Sequence, residues 1–367
     1  MRRIAISVAA STMTLSLAGC GVLGATGDGA SASPSKGNDI TVGLLLPEKA
    51  NTRYDKFDYP IIKNKVAELT GKQGKVEYAN ADADASQQAS QMQKMIDEKV
   101  DIIMIDAVDS HAIAPEVKKA KDAGIPVIAY DRLAEGPIDA YVSFDNELVG
   151  EVQGRTLLEA LGSADSSNKI VMVNGSPTDP NAKQFKQGAL SELTGKVTIA
   201  ATYDTTDWKP ELAQTEMARA ISAIGKNNIA GVYAANDGMA GGVIKALKAA
   251  GVTNLPPVTG QDAELDAVQR IVAGEQYMSV YKAYPDEAEA AAQMAVARVR
   301  SQDIQFDALT QDKVDSPTTK AIPSKLIQPV ALTKGNIKST VLADGIYTVA
   351  DICTPKYKAA CTALGLK

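Results

Sequence analysis

From residue 40 onward, short runs of β-branched and other apolar residues alternate with amphipathic stretches. The runs have the length of buried strands, and in the stretches the apolar positions recur with a helical period, as at Met92, Met95 and Ile96. Regular alternation of this kind indicates an α/β fold with parallel sheets. The first series predicts strands at residues 40–46, 75–81, 101–108, 126–131 and 140–145, with helices at 54–69, 85–98 and 112–123.

A second series of alternating strands and helices, similar in length to the first, follows from residue 146. Two such series predict two doubly wound lobes, because one hydrophobic core seldom serves a chain of this length. A late helix at 285–300 and a strand at 326–333 indicate that the chain crosses back between the lobes. The second series predicts strands at residues 169–174, 197–203, 229–235, 258–261 and 277–282, with helices at 146–161, 181–193, 210–224, 238–250 and 265–273.

The first twenty residues have the layout of an export signal. A basic start with Arg2 and Arg3 precedes an apolar run over residues 4–18, which is too short to cross a hydrocarbon core of about 30 Å. A transmembrane helix or a core helix is therefore the weaker alternative. Because small residues precede Cys20, we expect a signal peptide at 1–19 and a lipid on that cysteine. The lipid would anchor the mature chain to the outer face of the cell membrane.

Both ends of the mature chain differ in composition from the rest. Residues 20–39 are rich in Gly, Ala and Ser and poor in large apolar residues, which is typical of a flexible tether. Residues 348–367 form a tail that holds Cys353 and Cys361. We expect these two cysteines to form a disulfide in an oxidising compartment. Two free thiols or a metal site are the alternatives, although no histidine lies nearby.

The charge of the chain excludes one class of partner. The sequence has 44 acidic and 38 basic residues, a net charge of −6, and loss of Arg2 and Arg3 would make it −8 (−6 minus 2). An acidic chain without a basic cluster is a poor binder of nucleic acid. The chain has one histidine, His111, and no metal-ligand spacing, so we expect neither a metal nor another cofactor.

Polar side chains follow the predicted strands where each strand ends. Ligands collect at the carboxyl ends of the strands in doubly wound sheets, so these side chains are candidates for a binding site. Each also has a structural explanation as a helix cap or a surface charge, but both lobes contribute them to the same cleft. They are Asp131 and Arg132, Asn236, Asp262 and Lys282, with Arg53, Tyr54 and Asn181 in the corresponding loops.

Carboxylates, amides and cationic groups in one cleft suit a neutral polyhydroxylated ligand, because each sugar hydroxyl both donates and accepts hydrogen bonds. The one tryptophan, Trp208, lies between a predicted strand and a predicted helix. Its ring and that of Tyr54 can stack on the apolar faces of a sugar ring. A core position is the usual explanation for a tryptophan, but Asp207, Lys209 and Pro210 indicate a loop.

An enzyme is the weaker alternative. Asp131 and Asp262 have the residue types of a glycosidase pair. However, the sequence has no nucleophile elbow, no metal-ligand spacing and no unassigned cysteine, and His111 is expected at the surface. Arg132 beside Asp131 would also keep that carboxylate ionised, which suits hydrogen bonding better than proton donation.

Six short motifs occur in order along the chain: Ala129-Tyr130-Asp131-Arg132, Ser143-Phe144-Asp145-Asn146, Gly175-Ser176-Pro177, Ala235-Asn236-Asp237, Gly260-Gln261-Asp262 and Val280-Tyr281-Lys282. With these motifs the chain resembles the xylose-binding proteins of bacterial ABC sugar importers from about residue 40 to residue 347. These are type I periplasmic binding proteins, lipid-anchored or free, with two lobes joined by three crossovers. Tyr54 departs from the family pattern, which has a tryptophan there, as do Pro180 and the tail after Tyr347.

The resemblance implies a role for each matched residue. Arg53, Asp131, Arg132, Asn181, Asn236, Asp262 and Lys282 would hydrogen-bond the sugar, and Tyr54 and Trp208 would sandwich its ring. The lobes would close on the sugar about crossovers near Asp145, Ala283 and Thr318, with residues 40–145 and 284–318 in the first lobe and 146–283 and 319–347 in the second.

The resemblance also implies the partners. A monomeric sugar receptor, most similar to those for D-xylose, would deliver its aldose to an ABC permease and its ATPase. A receptor that reports to a sensory kinase or a chemoreceptor is the alternative within the same fold. Transcription factors like the lac repressor share the fold, but they carry a DNA-binding headpiece where this chain has a signal and a tether.

Overall fold

Two mainly parallel β-sheets organise the protein in the computed structural model, which describes residues 36–49, 51–162 and 165–367. The strands are β1 (Thr41–Leu46), β2 (Lys75–Asn80), β3 (Ile102–Ile105), β4 (Val127–Tyr130), β5 (Ala140–Phe144), β6 (Lys169–Asn174), β7 (Thr198–Asp204), β8 (Gly231–Ala234), β9 (Ser279–Tyr281), β10 (Asp312–Val314), β11 (Ile322–Ile327) and β12 (Val330–Leu332). The alternation of short apolar runs with amphipathic stretches therefore predicted the fold class correctly.

Helices cover the sheets. They are α1 (Tyr59–Leu69), α2 (Ala85–Asp97), α3 (Ala114–Asp122), α4 (Asn146–Leu161), α5 (Pro180–Leu193), α6 (Pro210–Ile224), α7 (Asp237–Ala249), α8 (Leu265–Ala273), α9 (Tyr284–Val299), α10 (Asp303–Leu309), α11 (Val349–Ile352) and α12 (Lys358–Ala363). Short helical turns at Tyr54–Asp58 and Thr206–Trp208 carry site residues. No helix among the described residues has both the length and the apolar character that crossing a bilayer requires.

The first sheet has the strand order β10-β11-β5-β4-β3-β1-β2 and is parallel except at β10. Alternate residues of β1 face opposite sides, so that Leu44 packs with α1 and α9 while Leu45 packs with α2 and α3. Burial on both faces explains why these strands are continuously apolar. We call this sheet with α1–α3, α9 and α10 the first lobe.

The second sheet has fewer strands than the first, and its parallel strands follow a similar order. Strands β7-β6-β8 are parallel, and β9 pairs with β12. Two isolated bridges, Val232 with Val258 and Gln261 with Val280, connect the two parts through residues 258–261. The strand predicted at 258–261 is thus reduced to single bridges. We call these strands, with α4–α8 and the residues after β12, the second lobe.

Within the residues that the structure describes, the chain passes between the lobes three times. The first passage is at Asp145, whose backbone N–H donates to Ile327 O at 3.0 Å, and the second is at residues 282–283, between β9 and α9. The third is at 328–329, because β11 pairs with β5 of the first sheet and β12 with β9 of the second. The boundary expected near Thr318, and the assignment of all of 319–347 to the second lobe, are therefore corrected. The single strand predicted at 326–333 is two short strands in different sheets.

The start of the described chain departs from expectation, whereas the disulfide expected in the C-terminal tail is present. Lys36 pairs with Asp101, and Asn38 Oδ1 accepts a hydrogen bond from Arg300 at 2.6 Å, so the first lobe includes residues 36–39 that were assigned to the tether. The predicted signal peptide, Cys20 and most of the tether lie outside the described residues. At the other end, the Sγ atoms of Cys353 and Cys361 are 2.08 Å apart and form a disulfide between α11 and α12.

Candidate functional site

One cavity between the lobes brings all nine candidate binding residues together. The structure places each of them in its lining, and none is more than 7% exposed. The first lobe contributes the turn after β1 and the turn after β4, and the second lobe contributes the ends of β8, β9 and of the segment 258–261, the turn before α6 and the start of α5. The nine are Arg53, Tyr54, Asp131, Arg132, Asn181, Trp208, Asn236, Asp262 and Lys282.

Asp131 and Asp262 occupy corresponding turns of the two lobes. Asp131 follows β4, Asp262 follows the segment 258–261, and both have a left-handed backbone, with φ of 56° and 95°. Such a conformation costs roughly 1–3 kcal/mol in a residue other than glycine, so the surroundings must support it. At Asp131 this support is visible: its carbonyl oxygen accepts from Tyr141 Oη at 2.8 Å and from Ser143 Oγ at 2.7 Å.

The carboxylate of Asp131 is held ionised. Arg53 Nη1 donates to Oδ2 at 2.6 Å, and the Lys282 ammonium lies 3.6 Å from the same oxygen. Burial alone would raise the pKa of Asp131, but the charges of Lys282, Arg53 and Arg132 outweigh it and lower the pKa to about 2. Asp131 therefore accepts hydrogen bonds at physiological pH and cannot serve as a proton donor.

Arg53 makes more contacts with the protein than the sequence suggested. Its Nε and Nη2 donate to Asp58 at 2.9 and 2.6 Å, and Nη2 also donates to Glu287 at 2.5 Å. Tyr284 lies over the guanidinium, with 4.5 Å between Cζ and the ring centroid. Most of its donors are thus used by buried acidic side chains, so a large part of its contribution is to fix Asp131 in place.

Lys282 connects the two corresponding carboxylates. Its Nζ lies 3.1 Å from Asp262 Oδ1, in addition to the contact with Asp131. Burial lowers the pKa of this ammonium, but Asp131 and Asp262 together raise it above its ordinary value. Asp262 also accepts from Asn51 Nδ2 of the first lobe at 3.0 Å. The cavity is therefore closed by direct contacts between the lobes.

Arg132 lies against a second pair of carboxylates. Its Nε is 3.0 Å from Asp179 Oδ2 in the second lobe and 3.4 Å from Asp106 Oδ1 in the first. Nη1 donates to Ala107 O at 3.2 Å. Burial raises the pKa of Asp106 well above its usual value although Arg132 opposes this. Like Asp131 and Lys282, Arg132 and Asp179 form an ion pair between the lobes.

Trp208 forms one wall of the cavity. It ends the turn at Thr206–Trp208, and both Asp207 and Trp208 have a left-handed backbone, with φ of 55° and 57°. Its ring packs edge-on against Phe185, and its six-membered ring lies against Gly175, where an added Cβ would lie 2.0 Å from Cη2. Within the described residues its Nε1 has no hydrogen-bond partner. The residue is buried but lines the cavity, which fits a stacking surface better than an ordinary core position.

The two asparagines combine capping with access to the cavity. Asn236 caps α7, its Oδ1 accepting from Met239 N at 2.9 Å. Asn181 lies in the first turn of α5, which Asp179 caps and which Pro180 begins. Its Nδ2 donates to Asp131 Oδ1 at 3.0 Å across the cleft, while its own Oδ1 has no partner among the described residues.

The cavity has five further lining residues that sequence reasoning did not include among the binding residues. Two of them carried a signal: Gln261 directly precedes Asp262, and Phe185 lies one helical turn after Asn181. The orientation of the others depends on packing between distant elements, which sequence spacing does not reveal. The five are Glu48, Asn51, Asp179, Phe185 and Gln261.

Chemically, the cavity offers acceptors and donors in fixed positions next to an aromatic face. Among the described residues, no group of His, Cys, Asp and Glu side chains has the arrangement of a metal site. His111 lies outside the cavity, exposed, with Nδ1 2.9 Å from Glu135 Oε2. The arrangement suits recognition of a small polar ring, with Asn181 Oδ1, Gln261 Oε1 and Trp208 Nε1 left without partners in the described part of the chain.

Comparison with known proteins finds similarity to periplasmic binding proteins. The model of the periplasmic binding protein domain matches residues 42–303. The D-xylose-binding periplasmic protein of Haemophilus influenzae is 36% identical over 327 residues, which cover 88% of this chain and 94% of that protein. The multiple sugar-binding periplasmic protein SbpA of Azospirillum brasilense is 32% identical over 363 residues, covering 93% and 99%.

A solved structure has the same fold. It is an ABC transporter solute-binding protein from Clostridium phytofermentans with bound β-D-glucose, and it superimposes with a TM-score of 0.76 at 27% sequence identity. The match covers 85% of this chain and 99% of that one. The match to the family domain ends at residue 303, so the residues after β12, including α11 and α12, lie beyond it.

Proposed function

Because the chain belongs to the periplasmic binding protein family, we propose that it captures an aldose, with D-xylose as the first candidate, in the cavity between its lobes and delivers it to an ABC importer. The family consists of solute-binding proteins and implies an extracytoplasmic location. The observation that carries the proposal is the convergence of nine predicted sugar-binding side chains on one buried cavity.

The electrostatics favour a neutral sugar over a charged ligand. The three cations among the described lining residues, Arg53, Arg132 and Lys282, are each paired with carboxylates, so none of them is left for an anionic ligand. Hydroxyl groups can donate to these carboxylates and accept from the cations without disturbing the ion pairs. The ring of Trp208 would cover an apolar face of the sugar.

The same arrangement speaks against catalysis. A glycosidase needs one carboxylic acid that is protonated near neutral pH. Asp131, with its pKa lowered to about 2, does not meet that requirement. Lys282 lies between Asp131 and Asp262, and its charge is one of those that lower the pKa of Asp131.

Closure of the two lobes on the sugar would be the signal that the importer reads. Sugar can favour the closed state only through contacts that it makes with both lobes at once. Asp131 and Arg132 in the first lobe and Asn236 and Asp262 in the second are positioned to make such contacts. A lipid on Cys20 would hold the receptor near its permease.

Two relatives suggest how broad the sugar range is. One is named for D-xylose and the other for multiple sugars. Tyr54, which stands where the xylose-binding pattern has a tryptophan, has a smaller ring and an added hydroxyl, which supports acceptance of more than one aldose. Reporting to a sensory partner in place of a permease remains the alternative use of the same closed state.

Titration of the intrinsic fluorescence tests the proposal, because Trp208 is the one tryptophan of the chain. We expect D-xylose, and to differing extents D-glucose, L-arabinose, D-ribose and D-galactose, to change the emission and to raise the melting temperature. A sugar at 100 times its Kd should add about 2.7 kcal/mol to the free energy of unfolding. Trp208→Phe serves as the optical control, since it removes the emission signal. If no aldose changes either observable, the sugar proposal fails.

The lipid anchor has its own test. The wild-type chain, expressed in a host that processes lipoproteins, should fractionate with membranes and carry a diacylglyceryl group on Cys20 by mass spectrometry. The Cys20→Ser chain should be soluble and should bind the same sugars with the same affinity. Wild-type protein that is soluble and unmodified would contradict the anchor and leave the sugar site unaffected.

A further inference from the structure

Residues 337–367, which we call the C-terminal segment, pack on the second lobe next to the cavity. Val341 and Ile352 of the segment are buried with Val268 and Ile271 of α8. The disulfide between Cys353 and Cys361 joins its two short helices across eight residues of sequence. The segment is therefore a packed part of the lobe and not a loose tail.

The segment contacts the backbone turn that holds Asp262. Ala263 follows Asp262, is fully buried, and belongs to the same apolar cluster as Val341 and Ile352. Both Asp262 and Ala263 have a left-handed backbone, with φ of 95° and 50°. Two consecutive strained residues persist only where the packing around them is firm.

The segment also contacts the residue before Lys282. Tyr281 Oη donates to Asp344 Oδ2 at 2.7 Å, and the ring of Tyr281 lies in the same cluster as Ala263. Tyr281 directly precedes Lys282, which reaches Asp262 and Asp131, so this hydrogen bond and the pairing of β9 with β12 both hold the chain next to that lysine. Further along, Tyr347 packs edge-on against Phe57, whose turn carries Arg53 and Tyr54, with 5.9 Å between the ring centroids.

We propose that the C-terminal segment positions Asp262 and Lys282 for sugar binding, acting through the hydrogen bond between Asp344 and Tyr281 and through the packing around Ala263. Asp344 and Tyr281 are positioning residues in this account, because neither lines the cavity. The inference rests on the proposed function and adds to it that the sugar affinity is set partly from outside the family domain, by a side chain at the surface.

The test uses the full chain with Asp344→Ala and, as its conservative partner, Asp344→Asn. Asp344 is exposed, so neither substitution is expected to prevent folding. Loss of the acceptor should raise the Kd for the best aldose about fivefold, while the urea midpoint measured without sugar stays within error of the wild type. Asparagine keeps an oxygen that can accept from Tyr281 Oη, so Asp344→Asn should restore the wild-type affinity.

A double-mutant cycle with Tyr281→Phe identifies the route. If the hydrogen bond transmits the effect, then Tyr281→Phe, Asp344→Ala and the double variant should all show about the same loss of affinity. Wild-type affinity in Asp344→Ala, or an affinity loss that merely follows a loss of stability, overturns the inference and leaves the sugar site standing. A wild-type protein that binds no aldose overturns both.

Discussion

Lys282 places its ammonium 3.1 Å from the carboxylate of Asp262. The same ammonium lies 3.6 Å from Asp131 of the other lobe. In the closed cavity this buried cation therefore lies between two carboxylates, one from each lobe, that would otherwise repel each other. The charge of Lys282 is one of those that lower the pKa of Asp131 and keep it a hydrogen-bond acceptor, and its two contacts join the lobes.

Removal of Asp262 should weaken sugar binding strongly. Asp262→Ala takes away one acceptor for the sugar and leaves Asn51 Nδ2 and part of the Lys282 charge without a partner. We expect a loss of about 1–3 kcal/mol in binding free energy, measured by calorimetric or fluorescence titration. Asp97→Ala, at an exposed position on α2, is the matched control. Equal sugar affinities of Asp262→Ala and Asp97→Ala would show that Asp262 does not contribute to sugar binding.

Gly175 should be essential because Trp208 occupies the space of its side chain. A Cβ at this position would lie 2.0 Å from Trp208 Cη2, so Gly175→Ala must displace the ring from the cavity wall. Overpacking of this kind costs about 1–3 kcal/mol. We expect at least a tenfold rise in the Kd for sugar and an altered tryptophan emission spectrum.

The control for this substitution is Gly335→Ala. There the nearest atom to an added Cβ is Thr333 Oγ1 at 3.6 Å, and the site lies outside the cavity. The sugar affinity and the tryptophan emission of Gly335→Ala should match those of the wild type. A Gly175→Ala protein with an unchanged spectrum and unchanged affinity would show that Trp208 does not need its present position.

The sequence could predict much of this site because parallel strands bring their carboxyl ends to one edge. Asp131 and Lys282 directly follow apolar runs and Asp262 follows the strand predicted at 258–261, so their positions follow from the strand pattern alone. Their partners could not be predicted in this way. Asp58 reaches Arg53 from the end of the same turn, but Glu287 reaches it from α9, and only tertiary packing brings that helix to the turn.

The third passage between the lobes shows a different limit. Strands β11 and β12 are separated by only two residues, so the apolar pattern of 326–333 resembles a single strand. Pro329 lies in the gap and has no N–H for a ladder, which ends the pairing with β5 and lets the chain enter the second sheet. The pattern of hydrophobic residues specifies that a strand forms, but the sheet that it joins is decided by pairing.

Loss of the Lys282 charge should destabilise the closed lobes and shift acid unfolding. In Lys282→Met, Asp131 and Asp262 lose the cation between them, and breaking a buried pair costs about 3–5 kcal/mol. In the folded wild type the pKa of Asp131 is about 2, which is below its value in the unfolded chain. The ionised Asp131 side chain therefore contributes stability at every pH above the unfolded pKa, and this contribution is lost only as the pH falls toward 2.

In the variant this loss should begin at higher pH, because one of the cations that depress the pKa of Asp131 is gone. Urea unfolding at pH 3 to 7 measures the effect. Lys320→Met removes an exposed lysine that pairs with Asp315, and it should change stability by less than about 0.5 kcal/mol. Superimposable pH curves for the wild type and Lys282→Met would contradict the proposed role of Lys282.

Glu287 should make the protein less stable as the pH rises. Its side chain is fully buried, Oε2 accepts from Arg53, and Oε1 has no partner among the described residues. Burial raises its pKa to about 8, although Arg53 opposes the shift. The folded state therefore holds a proton that the unfolded chain releases above about pH 4.3. The stability that this proton contributes is fully present below that pH, decreases as the pH rises, and is lost once the pH passes about 8.

Glu287→Gln should remove this decline, because glutamine resembles the protonated acid and can still accept from Arg53. Between pH 5 and 8 the free energy of unfolding of the wild type should fall relative to the variant by up to about 1.4 kcal/mol per pH unit. Urea unfolding across this range measures the difference. Glu289→Gln, two residues further along α9 and half-exposed beside Lys65, should follow the wild type. Parallel curves for the wild type and Glu287→Gln would mean that Glu287 is ionised in the folded protein, and that Arg53 balances three buried carboxylates at once.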